Sequence, residues 1–165
     1  MKFIANTLDI AKLLDRKIKF NEVIKSISTD TRSLKKDSLF IAIKGKNFDG
    51  NDFVNDALAK GANIVIADNK CFKNNKDKRI IYVNNTIKAL KKISNNIIKN
   101  YHGNVIAITG SNGKTTTTNI IGKTLKNNSK TLKNFNNEIG MPLSLMNASS
   151  KSKNLVFEIG ASKFK

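Results

Sequence analysis

One short segment of this chain joins a strand, a glycine loop and a helix start, and it constrains the fold more than any other feature. The apolar residues 105–109 lead into the loop 110–113, and Lys114 and Thr115 follow at once. Glycines let backbone amides curl around phosphate oxygens, and a helix start adds partial positive charge. The lysine can contact the β- and γ-phosphates, and the threonine hydroxyl can bind Mg²⁺. The segment therefore predicts a phosphate-binding loop, a variant in which Ile108 replaces the first standard glycine.

Strand-like and helix-like segments alternate along the chain. Short apolar runs predict strands at residues 23–28, 39–43, 64–67, 80–83, 105–109 and 155–159. Apolar residues at helical spacing predict helices at residues 7–14, 52–60, 86–100, 114–126 and about 143–146. This alternation is typical of α/β proteins with mainly parallel sheets. We expect a boundary within residues 84–102, which divides the chain into domains 1–84 and 85–165.

The charge of the chain invites a nucleic-acid interpretation that the composition does not favour. The 165 residues include 30 Lys and Arg against 12 Asp and Glu, a formal net charge of +18. The basic residues comprise 27 Lys and only 3 Arg, and with 24 Asn and 21 Ile they indicate a bias towards A/T-rich codons. Nucleic-acid sites favour Arg and interleaved aromatic side chains, whereas these lysines are spread along the chain. We therefore expect no specific nucleic-acid partner.

Cysteine content and hydropathy exclude several further classes of protein. The single cysteine cannot form a disulfide framework or a cysteine-based zinc site. The longest apolar runs are too short to span a membrane, and the first residues lack the apolar stretch of a secretory signal. We therefore expect a cytoplasmic protein without a membrane span.

Motifs in the second half of the chain resemble the Mur ligase family. Residues 109–116, Thr-Gly-Ser-Asn-Gly-Lys-Thr-Thr, are similar to its ATP loop, which folylpolyglutamate synthases share. Residues 134–144 resemble the corresponding segment of the branch that adds D-alanyl-D-alanine, the MurF type. The branch that adds the third amino acid has a different, Thr-rich segment there. Residues 158–162 resemble the family's Glu-x-Gly strand end.

Motifs in the first half resemble the amino-terminal, UDP-substrate-binding domain of the same family. They are residues 28–32, Ser-Thr-Asp-Thr-Arg, together with residues 39–45 and the Phe-Asp-Gly of residues 48–50. Asn51 follows this glycine, where many members of the family have His. The resemblance thus covers residues 28–162, with the motifs in family order.

The resemblance implies a fold and a reaction. The fold is a small amino-terminal α/β domain over residues 1–84, followed over 85–165 by an incomplete P-loop-type ATPase domain with a parallel sheet. The reaction adds D-alanyl-D-alanine to UDP-N-acetylmuramoyl-tripeptide in peptidoglycan synthesis, with ATP converting a carboxylate to an acyl phosphate. Because the family's carboxy-terminal domain is absent, we expect no ligase turnover from this chain alone, and either a monomer or an aggregation-prone fragment.

The same resemblance assigns roles to individual residues. The phosphate loop that holds ATP consists of Gly110, Ser111, Asn112, Gly113, Lys114, Thr115 and Thr116. Lys114 and Glu158 are implied as catalytic residues, and Thr115 and Glu158 as ligands of Mg²⁺. The residues implied to bind the UDP-linked substrate are Ser28, Asp30, Thr31, Arg32 and, facing the muramoyl peptide, Asn137.

Without the resemblance, plainer interpretations of these residues stay open. A lone glutamate at a strand end, such as Glu158, is more often a cap or a surface residue. Asp30 and Arg32 can form a capped turn with an exposed ion pair. For the chain as a whole, the alternatives are a non-catalytic module that binds a nucleotide or UDP-sugar and, less favoured, a basic nucleic-acid-binding protein.

Overall fold

The chain folds into two compact α/β units. The computed structural model describes residues 6–69, 76–130, 138–149 and 151–160. The first unit comprises residues 4–95, and the second begins at Asn96. The sequence analysis divides the chain between residues 84 and 85, whereas the units divide between residues 95 and 96, inside a helix, α3, that spans Thr86–Lys99.

The first unit is built around a parallel sheet in the order β1-β2-β3-β4. Its strands are β1 Ser26–Ser28, β2 Ser38–Ile41, β3 Ala62–Asp68 and β4 Ile80–Val83. Its other elements are the helix α1 Thr7–Leu13, a 3₁₀ turn at Gly50–Phe53, the helix α2 Val54–Ala59 and the first part of α3. The register pairs Phe40 with Val65 and Ile66 with Ile81.

The core of the first unit fits the requirement that a parallel sheet be covered on both faces. All four residues of β2 are buried, and the side chains of Ile64 and Ile66 on β3 are fully inaccessible to solvent. Val54, Ala57 and Leu58 of α2 belong to the same core cluster as Phe40 and Val65. The continuous apolar runs of β2 and β3 are therefore explained by burial on both sides.

The second unit contains a parallel sheet in the order β5-β7-β6. Its elements are β5 Asn104–Ile108, α4 Lys114–Thr124, β6 Asn128–Lys130, α5 Gly140–Asn147 and β7 Asn154–Glu158. Leu155, Val156 and Phe157 of the central strand are buried, whereas Val105 on the edge strand β5 is 49% exposed. Burial in this sheet is thus concentrated on its central strand.

The α/β fold class expected from the sequence is confirmed, and most predicted elements lie within one or two residues of the observed ones. The strand predicted at residues 23–28 is wrong at its start, because Val23 leaves the sheet and forms an isolated bridge with Asn6. The helix predicted at 52–60 begins instead as the 3₁₀ turn. The sequence missed β6 because its three residues are polar. Within the described part of the chain, no helix has the length and apolar character to cross a bilayer.

Six aspartates of the first unit have pKa values below the ordinary value. Each accepts hydrogen bonds in the folded chain; they are Asp15, Asp30, Asp37, Asp49, Asp56 and Asp77. For Asp77 the main cause is the Arg79 guanidinium, with Nη2 2.7 Å from Oδ2. Nη1 of Arg79 also donates to the carbonyl oxygens of Leu58 and Ala62. This ion pair therefore connects the start of β4 to the end of α2.

Acid is expected to destabilise the first unit. Because these pKa values lie below the unfolded value of 3.8, the carboxylates contribute their full stability above about pH 5. That stability is lost as the pH falls through the folded pKa values. We expect the melting temperature at pH 3 to lie at least about 5 °C below that at pH 6.

Tyr82 fluorescence in a Tyr101→Phe background follows the unfolding of the first unit, since the chain has two Tyr and no Trp. The difference should shrink in Asp77→Asn, and equal melting temperatures would contradict the expectation.

Candidate functional site

The phosphate loop lies between β5 and α4, where the sequence predicts it. Gly113 is the N-cap of α4 and has φ +75°, and Gly110 has φ +144°. Both conformations strain residues that have a Cβ, so glycine is required at these two turns. Gly113 has no side chain with which to cap the start of α4. The first amides of the helix are therefore available to an anion, which is how helix starts bind phosphate.

Lys114 places its ammonium directly beside this loop. Nζ donates hydrogen bonds to the carbonyl oxygens of Gly110, at 2.5 Å, and Ser111, at 3.2 Å. The Lys114 ammonium and the amides at the start of α4 therefore both favour a negatively charged ligand. Ser111, Asn112 and Thr116 of the predicted loop are exposed.

Thr115 and Glu158 are 43 residues apart in sequence, yet the fold brings them into contact. The Thr115 hydroxyl donates to Oε2 of Glu158 at 2.8 Å. Glu158 ends β7 and pairs in register with Ile108, which ends β5, and the Ile159 amide donates to the Ile108 carbonyl. The carboxyl ends of neighbouring parallel strands meet at one edge of a sheet, which is where α/β proteins bind their ligands.

The donor set at this contact suits Mg²⁺. A hydroxyl and a carboxylate supply the hard oxygen ligands that this ion prefers, and protein sites often provide only one or two, with water and substrate phosphates completing the octahedron. Among the described residues, no group of three or more His, Cys, Asp or Glu could hold a metal ion. Thr115 and Glu158 therefore fit an ion that is shared with a bound phosphate, rather than a metal held entirely by protein.

The first unit has a separate cavity of about 400 Å³ beyond the carboxyl ends of β1 and β2. Its lining combines polar residues of the turn after β1 with aromatic and aliphatic residues of β2, of the segment after it and of the 3₁₀ turn: Thr29, Asp30, Thr31, Arg32, Phe40, Ile43, Phe48, Gly50 and Phe53. Three of the residues that the sequence analysis assigned to substrate binding, Asp30, Thr31 and Arg32, thus line one cavity.

The polar turn at the cavity is held by its own hydrogen bonds. Arg32 forms a bidentate ion pair with Asp30, with Nε donating to Oδ1 and Nη2 to Oδ2, and its backbone amide also donates to that carboxylate. These bonds lower the pKa of Asp30. The plainer interpretation, a capped turn with an ion pair, is therefore confirmed. Asp30 and Arg32 also line the cavity. Ser28 is not in the lining; its hydroxyl bonds the backbone of Asp30 within the turn.

Two further outcomes concern individual predictions. Asn137, expected to face the muramoyl peptide, lies outside the described residues. The sequence analysis did not assign Phe48 and Phe53 to the cavity, although they are 74% and 41% exposed. The available signal for Phe48 was its place in the Phe-Asp-Gly motif of residues 48–50, which resembles the amino-terminal domain of the family.

Comparisons with known proteins match both halves of the chain to one family. The model of the Mur ligase family, catalytic domain, matches residues 23–103, and that of the Mur ligase middle domain matches residues 108–165. The UDP-N-acetylmuramoyl-tripeptide–D-alanyl-D-alanine ligase of Buchnera aphidicola is 44% identical over 141 residues, 84% of this chain and 30% of that protein. The Bacillus subtilis ligase of the same name is 37% identical over 143 residues, 85% of this chain and 31% of that protein.

A solved structure of a ligase of this family also superposes on the chain. The MurF ligase of Thermotoga maritima, in complex with ADP, superposes with a TM-score of 0.73 and is 35% identical, covering 84% of this chain and 33% of that one. The chain thus spans about 30% of the length of the curated relatives it matches. With both family models matched in order and these relatives in agreement, the chain belongs to the Mur ligase family, among sequences of the MurF type.

Proposed function

We propose that this chain forms the nucleotide-binding and precursor-binding part of a cytoplasmic, ATP-dependent ligase of peptidoglycan synthesis. The proposed reaction adds D-alanyl-D-alanine to UDP-N-acetylmuramoyl-tripeptide through an acyl phosphate. The observation that supports it most is the contact of Thr115 with Glu158 at the carboxyl edge of a parallel sheet, with Lys114 directly before Thr115 in the chain. The reaction and both substrates follow from the named relatives.

In the second unit the proposed ligand is Mg-ATP. The amides that start α4 bind phosphate oxygens, and Gly110 and Gly113 allow the backbone to approach them. Lys114 binds the β- and γ-phosphates, where its charge stabilises the transferring phosphoryl group. Thr115 and Glu158 hold Mg²⁺, which when bound neutralises charge on the phosphates.

In the first unit the proposed ligand is the uridine diphosphate part of the precursor. A cavity of about 400 Å³ lies within the range of small-molecule sites. Phe48 and Phe53 offer apolar faces to the base, and Arg32 and the hydroxyls of the turn offer donors to the diphosphate. Asn137 is assigned to the muramoyl peptide by family resemblance.

Binding rather than turnover tests this proposal, since the chain spans about 30% of its relatives. In calorimetry, Mg-ATP and UDP are each expected to bind saturably at one site, and neither should displace the other. Omission of Mg²⁺ or the Glu158→Gln change should weaken the binding of ATP by about tenfold and leave the binding of UDP unchanged. An oligonucleotide serves as the control for the charge of +18. If ATP and oligonucleotide compete and both follow a steep salt dependence, binding is non-specific and the proposal fails.

A further inference from the structure

Asn51 is a buried polar residue that none of the sites above employs. It is 2% exposed and directly follows Gly50, yet it does not line the cavity. Its Nδ2 donates to Oδ1 of Asp49 at 2.7 Å, and its backbone amide donates to the same oxygen at 3.0 Å. Its Oδ1 accepts from the backbone amide of Asp68 at 2.9 Å. A buried amide is retained only when it is hydrogen-bonded in this way.

These bonds join a loop to the sheet. The loop runs from Lys44 to Asp49; its two end residues form a bridge and an ion pair of 3.6 Å, and the Gly45 amide donates to the Phe48 carbonyl. Asp68 ends β3, in the centre of the sheet. The Asn51 side chain therefore connects the base of the loop, at Asp49, to the carboxyl edge of the sheet.

The loop in turn places an aromatic side chain over the cavity. Phe48 precedes Asp49 and lines the cavity although it is 74% exposed, so its own packing holds it weakly. Its position then depends on how firmly the loop base is fixed. Hydrogen bonds from the Asn51 backbone amide and, to a lesser degree, from its side-chain amide lower the pKa of Asp49.

We propose that Asn51 is a positioning residue for the cavity: through Asp49 and Asp68 it fixes the 44–49 loop so that Phe48 covers the planar group of a bound nucleotide. The part of this inference that concerns the nucleotide rests on the proposed function of the first unit. The part that concerns the loop does not.

A reporter at the loop tests the inference in the full chain. Since the sequence contains no Trp, a Phe48→Trp change makes fluorescence anisotropy specific to this position. Adding Asn51→Ala is expected to lower the anisotropy and to raise the Kd for UDP about tenfold. The matched control is Asn63→Ala, which removes the bond from Nδ2 to the Val23 carbonyl at the opposite end of β3. It should change neither value.

Asn51→Asp provides a pH signature that a general loss of stability would not produce. The new carboxyl keeps the acceptor for the Asp68 amide, loses the donor and lies beside the Asp49 carboxylate. At pH 7 the two charges should loosen the loop. Because the like charge and burial raise the pKa of the new group, anisotropy should recover as the pH falls from 7 to 5. This variant also decides the question if Asn51→Ala does not fold.

The results of these measurements distinguish the role of Asn51 in the loop from nucleotide binding in the cavity. Unchanged anisotropy and UDP affinity in Asn51→Ala would overturn the inference, as would an equal loss in Asn63→Ala. If the unsubstituted chain binds no UDP, the proposed function of the cavity fails. Anisotropy then decides the inference by itself: a decrease confined to the Asn51 variants supports the loop role, and no decrease overturns it.

Discussion

Lys114→Ala is expected to raise the Kd for Mg-ATP by about 10- to 100-fold while leaving UDP binding unchanged. Nζ lies beside the loop, 2.5 Å from the Gly110 carbonyl, where it can donate charge-assisted hydrogen bonds to phosphate. Hydrogen bonds to charged groups contribute about 1.5–3 kcal/mol each, which sets this range. Calorimetry on the full chain, at fixed Mg²⁺ and salt, provides the measurement.

The control for this change is Lys123→Ala, in the last turn of the same helix. It removes the same charge from α4 but far from the loop, so ATP affinity should change less than about twofold. If both variants weaken ATP equally, the net charge of +18 governs binding and the phosphate-loop assignment is wrong. A Kd for Lys114→Ala equal to that of the parent would also mean that the phosphate-loop assignment is wrong.

Gly50→Ala is expected to destabilise the first unit by about 3 kcal/mol, at the upper end of the usual cost of overpacking. A Cβ at this position would lie 2.5 Å from the Ile43 nitrogen, 2.7 Å from its oxygen and 2.9 Å from the Ala42 carbonyl carbon. These are backbone atoms of the segment that follows β2, so no side-chain rotation relieves the overlap. The Gly50 amide also donates to the Ile43 carbonyl. For a domain of this size, the melting temperature should fall by roughly 10–20 °C.

Gly45→Ala is the matched control, since Gly45 lies in the adjoining 44–49 loop. A Cβ there would meet only the Phe48 carbonyl oxygen, at 3.5 Å, which is ordinary van der Waals contact. We expect a change within about 0.5 kcal/mol. Tyr82 fluorescence in the Tyr101→Phe background follows the unfolding of this unit. Equal stabilities of the Gly50 and Gly45 variants would contradict the close approach of Gly50 to the backbone of Ala42 and Ile43.

Local signals in the sequence identified most of the elements. Continuous apolar runs predicted β3 and β4, because a strand buried on both faces excludes polar residues. Gly61 follows the last turn of α2 and has φ +86°, the conformation typical of a glycine just after a helix end. The polar strand β6 escaped prediction, since its backbone pairs with β7 while its side chains show no pattern.

The candidate sites divide in a similar way. The residue order around Gly110, Gly113 and Lys114 already predicted a phosphate loop, because a strand, a glycine turn and a helix start are contiguous in the chain and depend on local backbone geometry. The contact of Thr115 with Glu158 could not be derived from spacing, since it depends on β7 lying beside β5. The same holds for Asn51, whose place in the sequence indicated only a residue after a turn. Its bond to Asp68 exists because the sheet brings the end of β3 to the base of the loop. The sequence by itself thus determined where a strand, a glycine turn and a helix start follow one another. Only the tertiary structure decided which distant side chains meet, because strand order is set by packing across the whole sheet.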